Sequence, residues 1–177
     1  MVDALPVINV VFQSVNKMCV HVYYGFGKGK TCSAIGQTIR MIGHGRKALF
    51  CQFLKDGSSG EVKILMDNGI DYISPKNYLD SASNAGLFML VMKLTIVNKY
   101  DIIVLDEILD VIVGEGIQKS LLVDFISMCN AKGIELIITG HYTPPDQIEG
   151  MADYLTYFEK MRHPYDHGVV AREGVEF

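Results

Sequence analysis

The sequence predicts an α/β domain: a mostly parallel sheet with helices on both faces. Three observations carry that expectation. Apolar runs of strand length, at 18–24, 47–54, 100–105 and 134–139, alternate with stretches whose apolar residues recur every three or four positions. Several runs are apolar on both faces, which a strand needs when helices cover both sides of its sheet. The first run leads straight into Gly25-Phe26-Gly27-Lys28-Gly29-Lys30-Thr31 and then into a helical pattern. Strand, glycine-rich loop and helix, in that order, frame a phosphate loop, so a P-loop nucleotide-binding architecture is expected.

Taken in order, residues 18–24 form the first strand and Thr31 opens a helix to Ile42. Its inward face is Ala34, Ile35, Thr38, Ile39 and Ile42, spaced by three and four. Gly43-His44-Gly45 ends it. Residues 47–54 form a strand buried on both faces, and the polar turn 55–60 lies where its carboxyl end opens on a ligand crevice. A short helix over 61–67, stopped by Asn68-Gly69, precedes a short strand at 70–74. Residues 75–84 read as loop and 85–99 as a helix, with Leu87, Leu90, Val91, Leu94 and Val97 inward. The strand 100–105 runs into Asp106-Glu107. A helix over 117–131, broken by Gly133, leads to a strand at 134–139, closed by Gly140-His141. Pro144-Pro145 starts a helix reaching about Gly150, and 153–159 is a last strand before a polar tail.

At 177 residues the chain is one domain, 1–177, with 1–17 as an N-terminal arm or flap. Its 49% hydrophobic and 20% charged content rules out a disordered chain, and a net charge of -4 argues against a general nucleic-acid binder. The apolar run 1–12 lacks a basic start and is too short to span a membrane, so it reads as a packing segment rather than a leader. Cys19, Cys32, Cys51 and Cys129 form no C-x-x-C pair, and buried free thiols in a reducing cytoplasm are the default.

The chemistry starts at the loop. Glycines let backbone N–H groups converge on an anion without Cβ clashes, and the helix start adds its free donors and partial positive charge. Lys30 would reach the outer phosphates and the Thr31 hydroxyl would ligate Mg2+. The loop departs from G-x-x-x-x-G-K-[ST], because Tyr24 stands at the first glycine position; its bland alternative is a glycine turn with surface lysines. Asp106-Glu107, at the end of a buried strand, reads as the metal-holding half of such a site rather than as support for the fold; alone, it would be a solvated strand end. Arg40, Gln52, Lys55 and His141 are further candidates, each with a structural alternative. His163 and His167 are four apart, but Pro164 and Gly168 argue against a helix or a metal site there.

Together these segments resemble the ATP:corrinoid adenosyltransferase family. The matching stretches are Y-Y-G-F-G-K-G-K-T (23–31), I-R-M-I-G-H-G-R (39–46), Q-F-L-K-D-G (52–57), V-L-D-E-I (104–108), I-I-T-G-H (137–141), A-D (152–153) and the ending R-H-P-Y-D-H-G-V-V-A-R-E-G-V-E-F (162–177). The resemblance implies transfer of the 5′-deoxyadenosyl group of ATP to the Co(I) of a corrinoid, with triphosphate as leaving group. It implies catalytic roles for Lys30 and Glu107. It implies nucleotide contacts from Gly25, Phe26, Gly27, Lys28, Gly29, Lys30, Thr31, Cys32, Arg40, Gln52 and His141, and Mg2+ ligands in Thr31, Glu107 and Asp106. It further implies a cytoplasmic enzyme, a flavin-type reductase as partner and a homodimer, with neither nucleic acid nor membrane. Three residues depart from the family pattern: Phe26 for Asn, Cys32 for Thr and His141 for Arg. The family's aromatic loop after the third strand is also absent: segment 74–84 holds only Tyr78, with Phe88 nearby and Val10, Val11 and Phe12 as an alternative flap. A phosphate-loop ATPase and a non-catalytic nucleotide-binding module remain as competing readings.

Overall fold

A computed structural model describes residues 18–176. Strand β1 (Val20–Tyr24) leads into helix α1 (Lys30–Ile42), β2 (Ala48–Gln52) into α2 (Glu61–Asp67), and β3 (Asp71–Ile73) into α3 (Ser81–Val97). Next, β4 (Ile102–Asp106) is followed by α4 (Ile108–Val113) and α5 (Lys119–Lys132), β5 (Glu135–Gly140) by α6 (Asp146–Glu149), and β6 (Tyr154–Tyr157) ends the sheet. The strand order is β3-β2-β4-β5-β1-β6, and every pairing is parallel.

Parallel strands need helical crossovers, and those helices bury both faces of the sheet. Alternation along each strand divides the core accordingly. Leu49, Cys51, Ile103 and Leu105 face α3, α4 and α5, whereas Phe50, Ile102, Val104 and Ile137 face Ala34 of α1 and Leu65 of α2. β2 and β4 are buried along their whole length. The carboxyl ends of β1, β4 and β5 therefore open together at one edge, the position α/β sheets use for ligands.

Several expectations need correction. α3 begins at Ser81, not at residue 85, because the Asp80 carboxylate caps it by accepting from the Ser83 N–H at 2.8 Å. Its inward face is Asn84, Leu87, Phe88, Val91 and Thr95, while Leu90 and Val97 are exposed. In α1 the buried residues are Lys30, Ala34 and Thr38, and Ile39 is exposed. α4 was not anticipated, since its short run I-L-D-V-I-V has no period that separates helix from strand. Pro164–His167 winds into a single 3-10 turn, which His163 caps by accepting from the Tyr165 N–H. The N-terminal arm, including Val10, Val11 and Phe12, lies outside the described residues, as does Phe177. Among those described, no helix is long and apolar enough to cross a membrane.

Candidate active site

The glycine loop rides on backbone. Gly27 donates to the Phe158 carbonyl at 2.7 Å and Gly25 to the Gly140 carbonyl at 3.2 Å. A Cβ on Gly25 would meet Phe158 O at 2.5 Å, and one on Gly27 would meet Glu159 O and Phe158 O at 2.7 Å. Gly25 also sits at φ 111 and Gly29 at φ 123, conformations closed to L side chains. Lys30 folds back under this loop: its ammonium donates to the carbonyls of Gly25 at 2.6 Å and Gly27 at 3.2 Å. Burial pulls its pKa below the ordinary lysine value, against the pull of Asp110, Glu107 and Asp106.

Beneath the loop, Asp106 collects donors from four side chains. Thr31 Oγ1 donates to its two carboxylate oxygens at 3.0 and 3.2 Å and Thr139 Oγ1 at 2.7 Å. Gln52 Nε2 and Lys55 Nζ each donate at 3.2 Å. The carboxylate is wholly buried. Asp106, in the strand end read as the metal-holding half of the site, is thus a buried polar hub as well, and the solvated strand end of the bland alternative does not describe it. Gln52 is fully buried too, donating to Glu61 Oε1 at 3.0 Å and accepting from the Tyr72 hydroxyl at 2.9 Å. Burial opposes a charge on Lys55, yet Asp106 and Glu107, 3.2 and 3.7 Å from its ammonium, hold its pKa above the usual value. Thr31 Oγ1, Asp106 and Glu107 are hard oxygen donors, a set that suits Mg2+ completed by phosphate oxygens. Lys55 already bridges the two carboxylates, so a divalent cation there must share or displace an ammonium. No cluster of three His, Cys, Asp or Glu side chains suited to a metal occurs among the described residues, so Thr31 and phosphate would have to supply the rest.

Glu107 adopts φ 65, a left-handed conformation uncommon for a non-glycine residue, and its N–H donates to Thr139 Oγ1 at 2.9 Å. Burial pushes its carboxyl from 4.5 up to about 7, opposed mainly by Lys55. Between those two values the folded chain keeps the proton and the unfolded chain releases it, so stability falls as pH rises through that window. Glu107→Gln should match the wild type below about pH 4.5 and exceed it above about pH 7, by at most about 3 kcal/mol. Denaturant unfolding at both pH values, without magnesium, checks this; a difference that does not grow with pH rules it out.

His141 lies where β5 meets the loop. Its backbone N–H donates to Asp110 Oδ2 at 2.9 Å and its Nδ1 lies 3.0 Å from Asp110 Oδ1. Gly140 beside it has no room for a side chain, because a Cβ would meet Leu109 Cβ at 2.5 Å and Asp110 Oδ2 at 2.7 Å. The exposed Phe26 ring packs 5.5 Å from the His141 ring and edge-on at 5.9 Å to Tyr142, itself 44% exposed.

These parts surround a pocket of about 540 Å³. Gly27 to Cys32 form one wall and Lys55 and Glu61 another, and Glu107 and His141 line the pocket between them. Gly25, Phe26, Gln52 and Asp106 support the pocket without lining it. The structure does not bring Arg40 there: it is exposed in the last turn of α1. Cys32 is exposed at the pocket wall rather than buried, while Cys51 and Cys129 are buried and Cys19 is partly so. Asp110, Glu61 and Thr139 were not singled out in the sequence, and the tail, quoted only for its resemblance, received no site role, though its Gly174, Val175 and Glu176 line the pocket. Thr139, within I-I-T-G-H, and the tail lay in matching stretches; Asp110 and Glu61 did not.

The family model for ATP:corrinoid adenosyltransferase BtuR/CobO/CobP matches residues 16–177. Among curated relatives, the chain is 26% identical to the corrinoid adenosyltransferase of Escherichia coli strain K12 over 168 residues, 88% of this chain and 84% of that protein. It is 27% identical to corrinoid adenosyltransferase CobA of Salmonella typhimurium, with the same coverage. It is 28% identical to the corrinoid adenosyltransferase of Pseudomonas aeruginosa, over 88% and 82% of the two chains. The match runs through the phosphate loop, the carboxylate pair and the tail alike, and the chain belongs to the ATP:corrinoid adenosyltransferase family.

Proposed function

We infer that this protein transfers the 5′-deoxyadenosyl group of ATP to the Co(I) of a corrinoid and releases triphosphate. The observation that carries the reading is the family match over 16–177, laid on a pocket that joins a phosphate loop to buried carboxylates. In the reaction the cobalt electron pair attacks C5′ of the ribose, a cobalt–carbon bond forms, and the C5′–O bond breaks with its electrons leaving on triphosphate. Cobalt passes formally from Co(I) to Co(III), and no water takes part.

Charge accumulates on the departing triphosphate, so the chain's task is to stabilise anions in a fixed place. The N–H groups of Gly29 and Lys30, together with the Lys28 and Lys30 ammonium groups, are assigned to the polyphosphate. Thr31 and Glu107, with Asp106 behind them, would hold Mg2+, which neutralises phosphate charge when bound. Gln52 and Thr139 orient Asp106, and Asp110 orients His141 at the pocket wall. Arg40 receives no nucleotide role from this geometry. One domain spanning 1–177, a cytoplasmic setting, a homodimer and a flavin-type reductase complete the reading; free thiols and an oxygen-sensitive Co(I) substrate fit a reducing compartment.

The test follows adenosylcobalamin and triphosphate under strict anaerobiosis. Cobalamin chemically reduced to Co(I) should yield both products. ADP and phosphate would favour the ATPase reading, and no turnover would favour a nucleotide-binding module. With Co(II) and a flavin-type reductant, turnover should be markedly slower. Segment 74–84 offers only Tyr78 and the exposed Leu79, and Phe88 is locked in the core against Phe125 at 5.6 Å, so it is withdrawn as a corrin-facing residue. The exposed rings of Phe26 and Tyr142, packed beside the lining residue His141, are the better candidates to meet the macrocycle, as flat apolar surface next to the phosphate loop. Phe26→Ala should weaken cobalamin binding by roughly fivefold or more, with MgATP affinity nearly unchanged. Titration of the corrin absorbance reads the first and calorimetry the second; loss of MgATP affinity instead would assign the ring to the nucleotide.

A further inference from the structure

The last described residues fold back over the phosphate loop. Lys28 Nζ donates to the Val175 carbonyl at 2.6 Å and lies 3.9 Å from Glu176 Oε1. Arg172 holds Glu176 through three bonds: its backbone N–H to Oε2 at 2.9 Å, Nε to Oε2 at 3.2 Å and Nη2 to Oε1 at 3.1 Å. The N–H groups of Val175 and Glu176 both return to the Arg172 carbonyl, at 3.1 and 3.0 Å, which winds the segment into a closed turn. Gly174, Val175 and Glu176 form part of the pocket wall. A carboxylate, fixed by an arginine, thus faces the site where phosphates are to bind, and it shares a lysine with them.

We propose that Glu176 is a resident anion of the polyphosphate site, competing for Lys28 and so setting how tightly the enzyme holds its triphosphate product relative to ATP. The proposal rests on the nucleotide assignment above. Breaking the C5′–O bond leaves triphosphate with one more negative charge than the chain carried within ATP. A cationic pocket built for ATP therefore tends to hold the product more tightly than the substrate. A fixed negative charge beside Lys28 repels the more highly charged anion more strongly. Glu176 shifts the balance toward release, and the Arg172 clasp keeps it in place and ionised, its carboxyl held down to about 2 by those hydrogen bonds. Positions 172–176 thus tune product affinity without touching the reacting carbon or cobalt.

Calorimetry with inorganic triphosphate and with MgATP tests this on the full chain. Glu176→Gln should bind triphosphate roughly three- to tenfold more tightly and gain less for MgATP. Glu173→Gln, the same loss of charge on the same tail but outside the pocket wall, should change neither. In a Lys28→Met background the Glu176→Gln gain should shrink to the part due to direct repulsion. Weaker triphosphate binding by Glu176→Gln overturns the proposal and makes Glu176 a brace for Lys28. An equal gain from Glu173→Gln, or an undiminished gain without Lys28, overturns it as well. If the wild type binds neither ligand, the nucleotide assignment itself fails, and that result is distinct from each of these.

Discussion

Lys30→Met should weaken MgATP binding by at least about tenfold and lower adenosyl transfer by about a hundredfold or more, while the protein stays folded. Two effects add. The ammonium is the buried positive charge of the loop, only 8% exposed, and a hydrogen bond to a charged partner contributes about 1.5–3 kcal/mol. The same group also braces the loop by donating to the Gly25 and Gly27 carbonyls, so its loss loosens the turn that must cradle phosphate. Methionine keeps most of the side chain's length and volume. Removing a buried charge relieves a cost of burial while two hydrogen bonds are lost, so the unfolding temperature should move by only a few degrees. Calorimetry with MgATP, paired with thermal unfolding, separates the outcomes. Unchanged affinity in a folded variant would show that the phosphates bind elsewhere.

What could be read in the sequence follows from how local its causes are. The loop and α1 were legible because glycine, lysine and threonine act through backbone conformation and a helix start within a few residues of themselves. β2, β4 and β5 were legible as apolar runs of strand length. The start of α3 was written as Asp80 ahead of Ser83, a capping signal hidden by the polar residues around it. Its inward face was misplaced because the helix is apolar nearly all round, which leaves the buried side to tertiary packing. The roles of Asp110 and Glu176 had no local cause at all. Asp110 meets His141 across 31 residues, and Val175 meets Lys28 across 147, through sheet order and the path of the tail. Asp106 was recognised as an acidic strand end, but its burial depends on Gln52, Lys55 and Thr139, which two other segments, the end of β2 with its following turn and the end of β5, deliver.

Asp106→Asn should unfold earlier by roughly 5–15 °C and lose most of its transfer activity, and the first effect should persist without magnesium or nucleotide. The carboxylate has two oxygens and accepts from both threonine hydroxyls, from Gln52 and from Lys55. An asparagine can offer one acceptor oxygen and one donor amide. If the amide faces Gln52 and Lys55, donor meets donor. If it faces Thr139, that hydroxyl proton loses its acceptor, since the Thr139 oxygen is already taken by the Glu107 N–H at 2.9 Å. Either orientation leaves a buried donor unsatisfied, at about 1–3 kcal/mol. Lys55, whose side chain is only 23% exposed, also loses the nearer of its two carboxylates, at 3.2 Å against 3.7 Å for Glu107. Discounted for its partial exposure, that adds on the order of 1 kcal/mol. The total of about 2–4 kcal/mol is a large fraction of what holds a domain together. A purely metal-binding Asp106 behaves in the opposite way: with chelator present its amide variant would unfold at the wild-type temperature, or above it because a buried charge is gone. Thermal unfolding in chelator therefore decides between a ligand and a hub, and an unchanged midpoint would remove Asp106 from the fold's supports.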